Sequence, residues 1–225
     1  MNDVPGFGLG RVPSKKDPRS AQYMAATKPT APKLVRKTWP TAQVFNQQDK
    51  PWCVSYSGIA ALVAAPHVNF PDVTFETLYK QCQLVDQWPG ESYDGTSILA
   101  LGKVLKRMGF ISEYRWANNV DQLANYILTT GPALAGVTWY SNFFAPDSNG
   151  FLSLGGGVAG GHAFLLAGVD TEKKCPDGTT GAFRKLGSWG RSWGDNGRAW
   201  IPFSVMSELI ADDGELMMFA ESKLN

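Results

Sequence analysis

Hydrophobic and polar positions change their rhythm twice along this chain. Residues 1–37 show neither a helical nor a strand period and carry Pro5, Pro13, Pro18, Pro29 and Pro32, so they read as an extended arm. From Val44 onward the pattern turns helical. Residues 54–65 are apolar on every side, broken only by Gly58 and stopped by Pro66, which predicts a buried helix. Residues 75–84 and 120–129 predict two more. In residues 97–108, Leu99, Leu101, Val104, Leu105 and Met108 recur at helical spacing and Gly109 supplies the C-cap. After Gly131-Pro132 the period shortens. Residues 133–139, 162–169, 183–186 and 198–201 are apolar or alternating and are separated by Gly, Asn and Asp turns, so they predict strands. Helices first and strands second predict an α+β fold with two lobes. The arm spans 1–40 and the folded domain 41–225, with a helical lobe over about 45–125 and an antiparallel β lobe over about 126–225.

Composition narrows the class. A chain of 225 residues with 44% hydrophobic and 12% aromatic content is globular and can bury a sizeable core. The net charge of +1 gives no general reason to expect nucleic acid or a membrane, and no apolar run is long enough for a membrane span. The start Met-Asn-Asp-Val-Pro-Gly-Phe-Gly lacks a secretory pattern, so synthesis is expected in the cytoplasm, with a place in a larger assembly such as a viral particle left open. Charge is unevenly spread. Residues 1–37 hold eight basic and two acidic side chains, net +6, and the remainder is net −5. The arm is therefore expected to lie across its own acidic domain or to bind a protein partner, and charge-driven docking would loosen with salt. Cys53, Cys82 and Cys175 are odd in number and far apart, which is not a disulfide framework. Without a Cys-x-x-Cys pair or clustered histidines, no metal site and no cofactor are expected.

Candidate chemistry starts at Cys53. It opens the predicted helix, where unpaired backbone N–H groups and the helix dipole favour a thiolate. Cys82, in mid-helix, and Cys175, in a polar turn, have no such setting. Of the two histidines, His67 follows Pro66 in a turn and reads as a surface residue, whereas His162 follows Gly160-Gly161 at the mouth of a strand and reads as either a general base or a core histidine. Gly155-Gly156-Gly157-Val158-Ala159-Gly160 fits the dinucleotide-binding pattern, but a strand follows it where that motif needs a helix, so it carries no such site.

Taken together, three blocks carry more. Gln47 precedes Cys53 by six residues. His162 follows a Gly-Gly pair. Then comes Gly187-Ser188-Trp189-Gly190-Arg191-Ser192-Trp193-Gly194-Asp195-Asn196-Gly197. In this order the blocks resemble the papain-like cysteine peptidases, over roughly residues 44–203. The resemblance implies a two-lobe fold with the site in the cleft and a thiol endopeptidase acting on peptides or proteins. In it Cys53 is the nucleophile and His162 its proton partner, while the Gln47 amide and the Cys53 backbone N–H donate to the oxyanion. It further implies that Trp189 covers His162, that Gly95 and Thr96 offer backbone hydrogen bonds to an extended peptide, and that Gly136 and Ala163 line a pocket open enough for a bulky apolar side chain.

The departures are as specific as the matches. The family's imidazole-orienting Asn aligns with Gly187, which has no side chain, leaving a water, a backbone carbonyl or a neighbouring polar residue to substitute. Val54, Lys50 and Trp52 also differ from the usual residues around the cysteine. The arm is expected to be too short and wrongly patterned for the inhibitory pro-segment of secreted relatives, and the chain resembles compact bacterial or viral members. Two alternatives stay open: a papain-like domain kept as a binding or structural module, and another Cys–His acyl transfer such as transglutamination.

Overall fold

Eleven consecutive residues with no exposed face make the helix α1 (Cys53–Val63) the axis of this protein. A helix apolar all round is stable only inside a core, and α1 is packed between other helices and one face of a sheet. The computed structural model describes residues 5–14, 34–86 and 93–221. The helices α2 (Phe75–Val85) and α3 (Ile98–Arg107) follow, and then the chain enters the sheet. Thr74 and Ser97 cap these helices by accepting from the backbone N–H three residues on. Gly58 lets α1 and α3 close: a Cβ there would lie 2.7 Å from Leu101.

Among the described residues, seven strands form one antiparallel sheet. They are β1 (Arg36–Thr38), β2 (Glu113–Ala117), β3 (Ala133–Tyr140), β4 (Val158–Lys174), β5 (Thr180–Leu186), β6 (Arg198–Pro202) and β7 (Glu215–Glu221). The order is β2-β7-β3-β4-β5-β6, with β1 added to β4. Side chains alternate across it, as strand geometry requires. Ala163, Leu165 and Ala167 of β4 join the core around α1 and α3, whereas Phe164, Leu166 and Val169 join a second core with α4 (Val120–Thr129) and α5 (Phe203–Ala211).

The α+β class and the four helices read from periodicity are present, with no end shifted by more than two residues. The rhythm missed β1, β2, α5 and β7. β7 reads Leu-Met-Met-Phe-Ala between two glutamates and has both faces buried, so it carries no alternation. β1 is three polar residues held by pairing with β4. α4 packs with the strands of the second core. His67, expected at the surface, is buried against Phe219, with ring centroids 5.5 Å apart. No helix among the described residues is long and apolar enough to cross a membrane.

The close approach of α1 and α3 has a direct check. Gly58→Val is expected to destabilise the fold by about 1–3 kcal/mol, because Leu101 is fully buried and has nowhere to move. Urea unfolding followed by circular dichroism reads this as a lower midpoint at unchanged slope.

Candidate active site

The N-terminus of α1 meets the second core at β4. Trp52 caps α1 without a side-chain hydrogen bond, so the first N–H groups of the helix stay free for the Cys53 sulfur. That sulfur also reaches the backbone of Ala163, the residue after His162. Cys53 and His162, 109 positions apart in the chain, are both buried where α1 meets β4, the sulfur at the backbone of the residue after His162, and no hydrogen bond joins the two side chains among the described residues. His162 stacks on Trp189 at 4.2 Å and 17°, and Trp139 meets its edge at 4.7 Å.

Gln47 is held from both sides. Its backbone N–H donates to the Ser188 carbonyl, and its Oε1 accepts from the Ser188 hydroxyl, which turns the amide NH2 inward. Ser188, adjacent to Gly187, was not among the residues singled out for this role.

What fills the cleft is the chain itself. Gln47 Nε2 and Trp189 Nε1 donate to the Gly8 carbonyl at 3.0 and 3.2 Å. The Gly10 and Arg11 N–H groups donate to the Gly161 carbonyl, the Thr96 N–H to the Gly10 carbonyl, and the Val12 N–H to the Thr96 carbonyl, all at 2.9–3.0 Å. Phe7 lies edge-on to Trp189, and Leu9 lies 2.9 Å from the Cβ position of Gly160. Gly95 has φ +107°, and a Cβ there would sit 2.4 Å from the Gly10 carbonyl oxygen, so the arm passes only because that position is glycine. Gly95 turns its own N–H inward to Tyr79, which leaves Thr96 as the residue that pairs with the arm. Asp86 fixes this stretch by accepting from the Thr96 hydroxyl and from Ser97.

The Arg11 side chain lies over Gly136. Arg11 passes 3.2 Å from the Cβ position of Gly136 and 3.3 Å from that of Gly161. Its Nη2 lies 2.8 Å from Glu215 Oε2 and 2.7 Å from the Asp213 carbonyl. The Arg11 and Glu215 side chains are 1% and 15% exposed, so salt screens this pair weakly. The arm was expected to dock in part through its charge and to loosen with salt. In residues 5–14 it is held by one buried ion pair, backbone hydrogen bonds and two apolar side chains, and most of its other basic residues lie outside the described residues. Arg11 and Glu215 went unnoticed because one sits in an aperiodic segment and the other opens a strand that the rhythm missed.

Burial sets the protonation states. The Cys53 thiol is pushed up to about 12 by desolvation, against which the Ala163 and Val54 N–H groups, Arg11 and its own N–H pull downward. The low thiol value expected from the helix N-terminus is therefore not that of the closed cleft. His162 is held well below its ordinary value by burial first and by Lys185 second.

No protein-family model matches the chain. Cathepsin B-like cysteine proteinase 3 of Ostertagia ostertagi is 33% identical over 86 residues, 38% of this chain and 47% of that protein, so the match spans about half of the relative's length. The structure of xylellain, a cysteine protease from Xylella fastidiosa, superposes with a TM-score of 0.72 at 17% identity, over 98% of this chain and 99% of that one. The procathepsin B S9 structure from Trypanosoma congolense gives 0.65 at 12% identity, over 94% and 87%. The fold is that of the papain-like cysteine proteases.

Neutral burial of His162 has a thermodynamic sign. Below pH about 6.5 the unfolded chain binds a proton at this residue and the folded chain does not, so stability is present above that pH and lost as pH falls below it. Thermal midpoints measured between pH 5 and 8 should therefore fall on the acid side, and His162→Gln should flatten that slope.

Proposed function

We propose that this chain is a papain-like thiol peptidase held latent by its own N-terminal segment. Cys53 is the nucleophile and His162 the proton carrier, while Gln47 Nε2 and the Cys53 N–H stabilise the oxyanion. The observation that carries the reading is the Gly8 carbonyl, a peptide carbonyl already held by the Gln47 amide. In the open cleft Cys53 passes its proton to His162 and attacks the substrate carbonyl carbon as thiolate. Negative charge collects on the carbonyl oxygen and is met by donors that need no reorganisation. His162 then protonates the leaving amine, and water, giving its proton to the same imidazole, releases the acyl group.

Chain direction supports latency. A substrate whose acyl side pairs with Thr96 runs from Thr96 toward Gln47. The arm runs the other way, from Gly8 at Gln47 to Val12 at Thr96, bridging Thr96 in parallel through Arg11. It fills the donors without offering a bond in the productive sense. Arm release re-exposes the thiol to water, which removes the desolvation that raises its pKa and leaves the free N–H groups of α1 to lower it.

Two measurements test this reading. In the full chain, iodoacetamide labelling of Cys53 at pH 7 is expected to be slow and to quicken at least about tenfold in Arg11→Ala, which breaks the buried ion pair. Peptide mapping by mass spectrometry gives the rate at each cysteine. A Cys53 that stays as inert as Cys82 after arm release would favour the binding-module reading over a peptidase.

Arg11 also indicates substrate class, because the pocket that was expected to take a bulky apolar group is floored by the Glu215 carboxylate. Profiled with a peptide library, the Arg11→Ala protein should prefer arginine at that subsite. Glu215→Leu should reverse the preference toward apolar residues by about 10-fold or more in kcat/KM. A library in which leucine outranks arginine before that substitution would refute the assignment.

A further inference from the structure

Lys185 is fully buried and touches the same rings as His162. The antiparallel register sets Lys185 opposite Leu166, so it lies on the sheet face that carries Phe164 and His162. Its Nζ is 3.8 Å from the ring centroid of Trp193, 4.7 Å from Trp139, 4.8 Å from Trp189 and 5.1 Å from Phe164. Trp139, Phe164 and Trp189 are also the rings packed on His162. Two residues further along the same face is Gly187, and a Cβ built there would lie 3.0 Å from Lys185 Nζ. The lysine stem reaches across the gap that glycine leaves, and its amine stands where a side chain at 187 would project. Among the described residues neither nitrogen of His162 nor Nζ of Lys185 has a hydrogen-bond partner.

We propose that Lys185 is the positioning residue of this site, its amine replacing beside His162 the side chain that Gly187 lacks and accepting one imidazole N–H. The inference rests on reading Cys53 and His162 as the reacting pair. A methionine would fill the same aromatic box without desolvating an amine, so space filling alone does not account for lysine. Protonation state decides what the amine can do. An ammonium is a donor only and would repel an imidazolium, whereas a neutral amine has one lone pair to offer. Burial favours the neutral form and holds Lys185 well below its ordinary value, opposed by attraction to a Cys53 thiolate. When His162 takes the thiol proton, both ring nitrogens carry hydrogen. One faces the thiolate, and the other is left to the Lys185 lone pair. The ring is then held against Trp189 in the orientation that returns the proton.

The test uses full-length protein carrying Arg11→Ala, so that the cleft is open in every variant. Lys185→Met keeps the length and apolar bulk of the stem but offers no lone pair. It should lower kcat about 100-fold with KM changed less than about twofold, the signature of a group acting through the proton carrier. Its melting temperature should rise by about 2–4 °C, because an amine buried among aromatic rings has been replaced by an apolar side chain of similar size. The double variant Lys185→Ala/Gly187→Asn, which makes room for an amide and supplies it, should recover at least about tenfold over Lys185→Met. Nitrogen-15 NMR of the His162 ring reads the contact without turnover: a protected ring N–H should be present with lysine, absent with methionine and restored in the double variant. Unchanged kcat and an unchanged ring spectrum in Lys185→Met would overturn the proposal. Should that variant not fold, the double variant decides alone, and a ring N–H as exchangeable as in a free imidazole would count against it. If the Arg11→Ala parent cleaves no peptide, the peptidase reading fails, while the ring spectrum still decides the role of Lys185.

Discussion

The packing of α1 flat against the Ala163–Ala167 face of β4 is the contact on which the remaining arrangement depends. It requires small residues on both partners, and the sequence supplies Ala60 and Ala61 on the helix and Ala163 and Ala167 on the strand. Because that contact is close, the first turn of α1 ends beside the backbone of Ala163. The side chain of His162, one residue earlier, falls on the opposite sheet face and lies among the tryptophans. Strand alternation thus allows a buried thiol and a buried imidazole to belong to different cores and still be neighbours.

That neighbourhood is costly in the closed state. Cys53, His162 and Lys185 are all withdrawn from water, and burial drives each toward its neutral form. In the proposed function the arm's buried ion pair and backbone bonds hold the cleft closed over the thiol, and latency and reactivity are two dielectric states of one set of residues.

In the proposed function Arg11 would link this closure to selectivity: a side chain that shuts the cleft by pairing with Glu215 uses the recognition that a substrate would need there, and the reversed direction of the arm is what would separate blocking from cleavage.

The sequence by itself determined a good deal. Helical and strand rhythm gave the four helices and the cores of four strands, and the order of the Gln47, Cys53, His162 and Trp189 blocks pointed to the papain-like fold, because those signals are local. The segments it missed lack a local signal: β7 has no alternation, α5 follows a strand without a cap, and β1 exists only as an addition to β4. The sequence also marked Gly187 as a gap but not what occupies it, since Lys185 reads as an ordinary strand-edge charge until the register places it on the face of His162. Only tertiary structure decided that the arm lies in the cleft, that Arg11 meets Glu215 across some two hundred residues, and that the thiol is buried. Each of these follows from which distant surfaces exclude water together, and exclusion of water belongs to the assembled fold rather than to any stretch of chain.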